Sequence, residues 1–455
     1  MACSKPVENE PLTDMQDTQE NVQETEGAEE SVATEGTEES IETEGTELTE
    51  TTEETEKTEE TEKTEETEAT EKPADTEQKE PVIDDSVLWV ANCYDKLQLR
   101  ASAKSNGTVL ASIPNGGKME LLGWSGVYAK VSYNGKVGYV QSNYIKPGSA
   151  SIFQSSLDVV EITAKYTYEE LMKDAKALAD AYPDLITMSS IGKSELGRDL
   201  PVLRIGKEDA KYHVLLHGGI HAREHMTSWL MMALIDYWAD HNILGYGDVC
   251  YHVIPMVNPD GVVISQTGVL TELQQSIYQS DVNAGYASGG KANYTATWKA
   301  NGVGVDLNRN FPAGWEYVEY HANPSSWRYK GEEPFSAAES IALRDYTMAY
   351  DFDVTVSYHA TGSLIYYAYG NKQPVNSLSK ALGYAVKDVT GYPLYGWGGK
   401  KDGAGYKDWV MEYLEIPSLT VEIGCATAPL SEREAYSIFA RNCNVMPAIA
   451  KWLQR

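Results

Sequence analysis

Apolar positions divide the chain into three stretches with different periods. From about Gln19 to Glu80 large apolar residues are almost absent, Glu and Thr dominate, and the hexad T-E-E-T-E-K occurs twice between Thr52 and Lys63. Such a stretch buries too little surface to offset the entropy of ordering it, so residues 1–85 are expected to form a disordered, self-repelling tether. Between 86 and 147 the pattern becomes short alternating runs, Leu97–Arg100, Lys118–Leu122, Tyr128–Tyr133 and Gly138–Val140, cut by Asn-Gly and Gly-Gly pairs. Alternation punctuated this way predicts a small all-β barrel.

A linker is expected over 148–162, and from Thr163 onward helical and strand periods alternate. Helices are predicted over Tyr168–Tyr182 and from about Met226 to Trp238. Strands are predicted near Ile186–Ile191, Pro201–Ile205, Tyr212–His217, His252–Met256, Val354–His359, Ser363–Tyr369 and Ser418–Ile423. A last helix opens at S-E-R-E, Ser431–Glu434, in the form of a capping box and continues toward Leu453. Alternation of this kind implies an α/β domain, a mixed sheet covered by helices, over 163–455.

Charge changes the picture at the N-terminus alone. Residues 1–80 hold 29 of the 68 acids and 5 of the 37 Lys and Arg, so they carry −24 of the formal −31. The remaining 375 residues carry only about −7 and have no basic stripe, which gives the folded part no reason to bind nucleic acid. No run approaches the ~18 apolar residues of a membrane span. The five cysteines, Cys3, Cys93, Cys250, Cys425 and Cys443, form no C-x-x-C pair and leave bridging open. Met-Ala-Cys-Ser followed by a polar tether is similar to a mature bacterial lipoprotein with Cys3 as its lipid anchor; an incidental cysteine in a tail is the competing reading. An extracellular or cell-envelope location is expected.

Candidate chemistry gathers in the third stretch. L-L-H-G-G-I-H-A-R-E-H places His221 and Glu224 three residues apart between a strand and a helix, a spacing that points both at one spot. Imidazole nitrogen and carboxylate oxygen suit Zn²⁺, and a catalytic site needs a third protein ligand and an open position. His359 ends the strand V-T-V-S-Y-H, and strand ends are where open sheets collect chemistry. Glu422 lies near the end of an apolar strand, where an unpaired carboxylate is costly unless it serves a function. His217, His225 and His252 are expected to be structural, and Cys425 a small buried residue.

H-A-R-E, N-P-D-G at Asn258–Gly261, G-V-D-L-N-R-N-F-P at Gly304–Pro312, S-Y-H at Ser357–His359 and T-V-E-I-G at Thr420–Gly424 together resemble the zinc carboxypeptidase family over about Tyr166 to Arg455. The resemblance implies an eight-stranded-type mixed sheet and one zinc per chain, held by His221, Glu224 and His359. It implies Asp306 as the residue orienting a ligand histidine, and Glu422 as the base that takes a proton from the attacking water and passes it to the leaving amine. Asn308 and Arg309 would grip a substrate carboxylate, with Arg223 as a further contact. Two positions depart from the family pattern. Lys299, in W-K-A-N, stands where an arginine usually polarises the scissile carbonyl, and the mobile-loop tyrosine has no clean match, Tyr395 being the candidate and Tyr392 its neighbour.

Residues 86–147 resemble a bacterial SH3-like domain, which implies a cell-wall partner, although Trp124, Tyr128 and Tyr139 are equally explained as core or rim aromatics. The combination looks closest to bacterial γ-D-glutamyl-diaminopimelate peptidases, which cut peptidoglycan stem peptides. A general carboxypeptidase trimming ordinary peptides, and an inactive wall-binding protein, are the alternatives. Counting back from Glu422 puts Lys407 at the family's pocket-floor position, where it would attract a side-chain carboxylate, with Asp402 or Asp408 to accept an ammonium.

Overall fold

The computed structural model describes residues 88–93, 95–148, 157–163, 165–396 and 403–455. Cys3, the acidic tether and Asp402 lie outside them. Among the described residues no helix is long and apolar enough to cross a membrane.

Seven strands make the first body: β1 (Leu88–Ala91), β2 (Lys96–Arg100), β3 (Val109–Pro114), β4 (Lys118–Ser125), β5 (Tyr128–Tyr133), β6 (Lys136–Gln141) and β7 (Ile145–Pro147), ordered β3-β2-β6-β5-β4-β1-β7. Asn134 and Gly135 join β5 to β6 at φ 48° and 75°, the left-handed pair that a two-residue hairpin needs. Alternate residues Leu97, Leu99, Ile113, Met119, Leu121, Val131 and Val140 turn inward to form the core. Trp89 meets Trp124 edge to face at 5.4 Å, and Tyr128 is buried.

The second body is built on an eight-stranded mixed sheet. Its strands are β8 (Ile186–Lys193), β9 (Asp199–Ile205), β10 (Tyr212–His217), β11 (Val249–Ile254), β12 (Val354–Ala360), β13 (Leu364–Tyr366), β14 (Leu394–Tyr395) and β15 (Ser418–Ile423), in the order β14-β13-β15-β12-β10-β11-β9-β8. β10, β11, β12 and β15 run parallel. H-V-L-L-H, V-C-Y-H-V-I and V-T-V-S-Y-H-A lack polar alternation because helices and loops cover both of their faces. The helices are α1 (Tyr168–Ala181), α2 (Met226–Asp240), α3 (Pro259–Thr267), α4 (Glu272–Ala284), α5 (Gly290–Ala296), α6 (Ala338–Met348), α7 (Val375–Thr390), α8 (Tyr406–Trp409), α9 (Glu432–Asn442) and α10 (Val445–Leu453).

Several elements differ from expectation. The final helix is two helices, α9 and α10, because Pro447 cannot donate to the carbonyl four residues back and its ring crowds that position. Ser431 makes no side-chain cap; Glu434 instead turns inward to accept the backbone N–H of Cys425 at 2.9 Å. Packing of the second body begins at Leu157 rather than 163, since Val159 and Val160 donate to Asp236 at 2.8 and 2.7 Å. The two bodies also touch. Ala440 of α9 packs on the barrel core, Gly126 donates to Gly391 O at 3.2 Å, and the buried Arg441 lies 5.2 Å from the Trp124 ring centre and 4.1 Å from that of Tyr392.

Candidate active site

The chain leaves β10 through Gly218-Gly219, where Gly219 has φ 62° and a Cβ would collide with Ser228 Oγ. Only glycine allows so close a turn against α2. Thr227 then fixes the turn: its hydroxyl donates to Glu224 O and accepts from Gly219 N, both at 2.7 Å. Asn258, the first residue of N-P-D-G, caps α3 through Gly261 N at 2.9 Å and donates to Ile220 O and Ala300 O at 3.2 and 3.0 Å. One amide thereby ties the loop of His221 to the segment of Lys299. Ala222 N completes the tie by donating to Lys299 O at 3.1 Å.

His221, Glu224 and His359 are brought together and are all buried. The Nδ1 atoms of His221 and His359 stand 3.1 Å apart, and the Glu224 carboxylate reaches them at 3.0 and 3.1 Å. Two imidazole nitrogens and a carboxylate converging on one point, with no protein cation between them, fit a zinc ion that keeps an open position. Burial works to raise the Glu224 carboxyl, but the two imidazoles hold it well below the ordinary carboxylate range. Asp306 Oδ1 lies 3.3 Å from the far nitrogen of His221, near enough for its charge to act though not aligned as a full hydrogen bond. Burial would raise Asp306 as well; His221, Lys299 and Arg309 keep it ionised.

Glu422 lies level with His359 in the parallel register of β12 and β15, so both side chains leave the sheet on one face. Burial, and after it the Glu224 charge, push its carboxyl up to about 8, while Lys299 and Arg223 pull the other way. A carboxyl held by its surroundings near neutrality can take and return a proton.

Beside this triad a cleft of about 270 Å³ is lined by His221, Lys299, Asp306, Asn308, Arg309, Glu319, Arg328 and Gly403. Arg309 is aimed by Asp306, 3.5 Å from its Nε, and by Glu319 O, which accepts from Nη1 at 2.8 Å. Asn308 Oδ1 accepts from Tyr406 N at 3.1 Å. Arg223 is half-buried, and its Nε has no protein partner. Glu422, Arg223, Tyr395 and Lys407 are not among the lining residues, nor are Glu224 and His359. Tyr395 sits on edge strand β14, half exposed, its ring 6.2 Å from that of Tyr366. Lys407 is buried, with its ammonium donating to Ala368 O at 2.9 Å and to Asp408. Glu319 and Arg328, an ion pair at 2.9 Å, are lining residues that no pattern announced, since they come from an irregular loop. His217 and His225 are buried, which lowers them to about 3 and about 4, and His217 bonds Ser357 Oγ at 2.8 Å. Burial pushes the Cys425 thiol up to about 12.

Comparison with known proteins follows the same division into two bodies. The zinc carboxypeptidase family matches residues 171–440 and the bacterial SH3 domain residues 95–146. The chain is 32% identical over 297 residues to gamma-D-glutamyl-L-diamino acid endopeptidase 1 of Lysinibacillus sphaericus, covering 60% of this chain and 69% of the relative. It is 29% identical over 218 residues to carboxypeptidase B of Astacus astacus, covering 46% and 65% of the two chains. The crystal structure of thrombin activatable fibrinolysis inhibitor shares the fold at a TM-score of 0.50 and 19% identity, over 63% of this chain and 73% of that one.

Proposed function

The chain belongs to the zinc carboxypeptidase family and is a zinc metallopeptidase, and from that premise we propose that it hydrolyses peptidoglycan stem peptides at the bond between γ-D-glutamate and diaminopimelate. The observation that carries this reading is the lining of the cleft. Seven of its eight residues are charged or polar and of both signs, Lys299, Arg309 and Arg328 against Asp306 and Glu319, with His221 and Asn308 between them. An apolar side chain gains nothing there, whereas a residue bearing an ammonium and two carboxylates finds complementary partners. The similarity to a gamma-D-glutamyl-L-diamino acid endopeptidase supports the same class of substrate, and the SH3-like body supports action at the cell wall.

In this reading His221, Glu224 and His359 hold one zinc, which when bound supplies Lewis acidity to the scissile carbonyl and lowers the pKa of water. Glu422 takes the proton of the attacking water and returns it to the departing amine. Lys299 faces the scissile carbonyl as a point charge, and Asn308 with Arg309 grips a substrate carboxylate. Arg223 contacts the substrate on the other side of the bond. Tyr395, half exposed on β14, and Lys407, whose ammonium is taken up by Ala368 O and Asp408, are given no step in this reading. The deciding experiment is mass spectrometry of products from a synthetic L-Ala-γ-D-Glu-diaminopimelate peptide, beside a simple peptide of equal length with a C-terminal Phe or Lys. Release of diaminopimelate, with kcat/KM at least tenfold above the simple peptide, is expected. Equal or faster trimming of the simple peptide would instead identify a general carboxypeptidase, which shares every catalytic residue.

A further inference from the structure

We propose that His213, Cys250 and His252 form a second metal site, for a borderline-soft divalent ion such as Zn²⁺, at the end of the central sheet opposite the peptidase centre. The peptidase residues follow the carboxyl ends of β10, β12 and β15, whereas His213 and Cys250 lie near the amino ends of β10 and β11. His213 is level with Cys250 in the parallel register, and His252 lies two residues beyond Cys250 on the same strand. All three side chains therefore leave one face of the sheet.

One donor atom from each residue lies within 4.8 Å of the other two. His213 Nδ1 and His252 Nε2 are 3.0 Å apart, which matches the 3.1 Å between the ligand nitrogens of the peptidase centre. The second nitrogen of His252 is engaged by Tyr346 Oη at 2.7 Å, the kind of outer partner that fixes the ring of a metal-bound imidazole and selects the nitrogen it offers. Tyr350 and Phe352 close the site, their ring centres 4.6 and 4.9 Å from that of His252. His213 is half-buried, so solvent has access from one side.

Two nitrogens and a sulfur select zinc-like ions over the oxygen-seeking Mg²⁺ and Ca²⁺. Arg204 is level with His252 on β9 and is paired with Glu208 at 2.9 Å, while Asp353 accepts from His213 N at 2.9 Å and adds a negative charge. Burial lowers the His252 imidazole to about 3 and so disfavours its charged form. The Cys250 thiol, pushed up to about 11, releases its proton to solvent as the metal–sulfur bond forms. The ordinary alternative for this cluster is a hydrogen bond between the two histidines beside an inert thiol.

The test uses the full chain carrying His221→Ala and His359→Ala, so that only Glu224 remains of the peptidase ligands. After chelator dialysis it is titrated with Co²⁺ and Zn²⁺. The expected result is uptake of about one equivalent, with a cobalt–thiolate charge-transfer band in the near ultraviolet. Adding Cys250→Ala abolishes the band, and adding the half-exposed His213→Ala weakens binding at least tenfold. In the otherwise natural chain Cys250→Ala lowers metal content from about two equivalents to about one and leaves peptidase turnover unchanged. Failure of the His221→Ala/His359→Ala chain to take up metal, or uptake indifferent to both Cys250→Ala and His213→Ala, overturns the proposal.

Discussion

Asp306→Asn keeps the shape of the side chain and removes its charge, and it should weaken zinc binding by 10- to 100-fold, about 1.4–2.7 kcal/mol. Asp306 Oδ1 stands 3.3 Å from His221 Nε2, and its other oxygen accepts from Arg328 N at 3.1 Å. A full unit charge at 3.3 Å and an effective dielectric of 20 would give about 5 kcal/mol. The imidazole of a metal-bound histidine carries only part of a charge, so the smaller figure is the one expected. The amide also loses its hold on Arg309, whose Nε is 3.5 Å away, so KM should rise alongside the loss of metal. The assay is an equilibrium competition for Zn²⁺ against a fluorescent chelator at pH 7.5, with the melting temperature of the metal-free protein recorded beside it. A zinc Kd within twofold of the natural chain's would refute the idea that this carboxylate acts through His221. So would a loss of affinity fully matched by a fall in metal-free stability.

Glu422→Gln should keep its zinc and lose about 10²–10⁴ in kcat, because proton transfer is removed while the ligands stay; near-normal turnover at full metal content places the base elsewhere. Glu339 is buried and its carboxyl is pushed up from 4.5 to about 7. The folded state favours its protonated form, so its contribution is fully present below pH 4.5 and lost as pH rises through about 7. The change amounts to at most about 3 kcal/mol. Glu339→Gln should therefore gain in melting temperature over the natural chain at pH 8 and not at pH 4.5, and parallel pH profiles of the two would exclude this. Gly391 has φ 66°, and a Cβ there would stand 2.6 Å from Trp124 Cβ. Gly391→Ala should cost about 1–2 kcal/mol from the left-handed backbone alone and more from the barrel contact. The part that comes from the Trp124 Cβ should disappear in a Trp124→Gly background, and an unchanged penalty there would mean that the two bodies do not press on each other at this point.

How much was legible in advance varies with the range of the interactions involved. Periodicity and turn residues located the barrel and most sheet strands, because alternation and Asn-Gly chemistry are local; Asn134-Gly135 adopts the pair of angles its composition requires. The ordered motifs likewise marked His221, Glu224 and His359, which the fold brings together, since residues placed by strand ends keep a fixed relation to their strands. Boundaries that depend on partners were less visible. Glu434 forms a good capping box on paper, yet the unpaired N–H groups of Cys425 and Ala426 attract its carboxylate, and a buried donor outweighs an exposed cap. Lys407 occupies the expected position in the chain, but Asp408 and Ala368 O take up its ammonium.

The sequence by itself determined the fold class, the catalytic motifs and the acidic tail's separation in charge, because each is written in neighbouring residues or in fixed spacings. Only the tertiary structure decided which distant groups share a space. The pairing of Glu319 with Arg328 in the cleft, the seat of Arg441 between Tyr392 and Trp124, and the meeting of His213 with Cys250 and His252 all depend on strand register and loop packing. Those are set by burial summed over the whole core, and no short window of residues contains that sum.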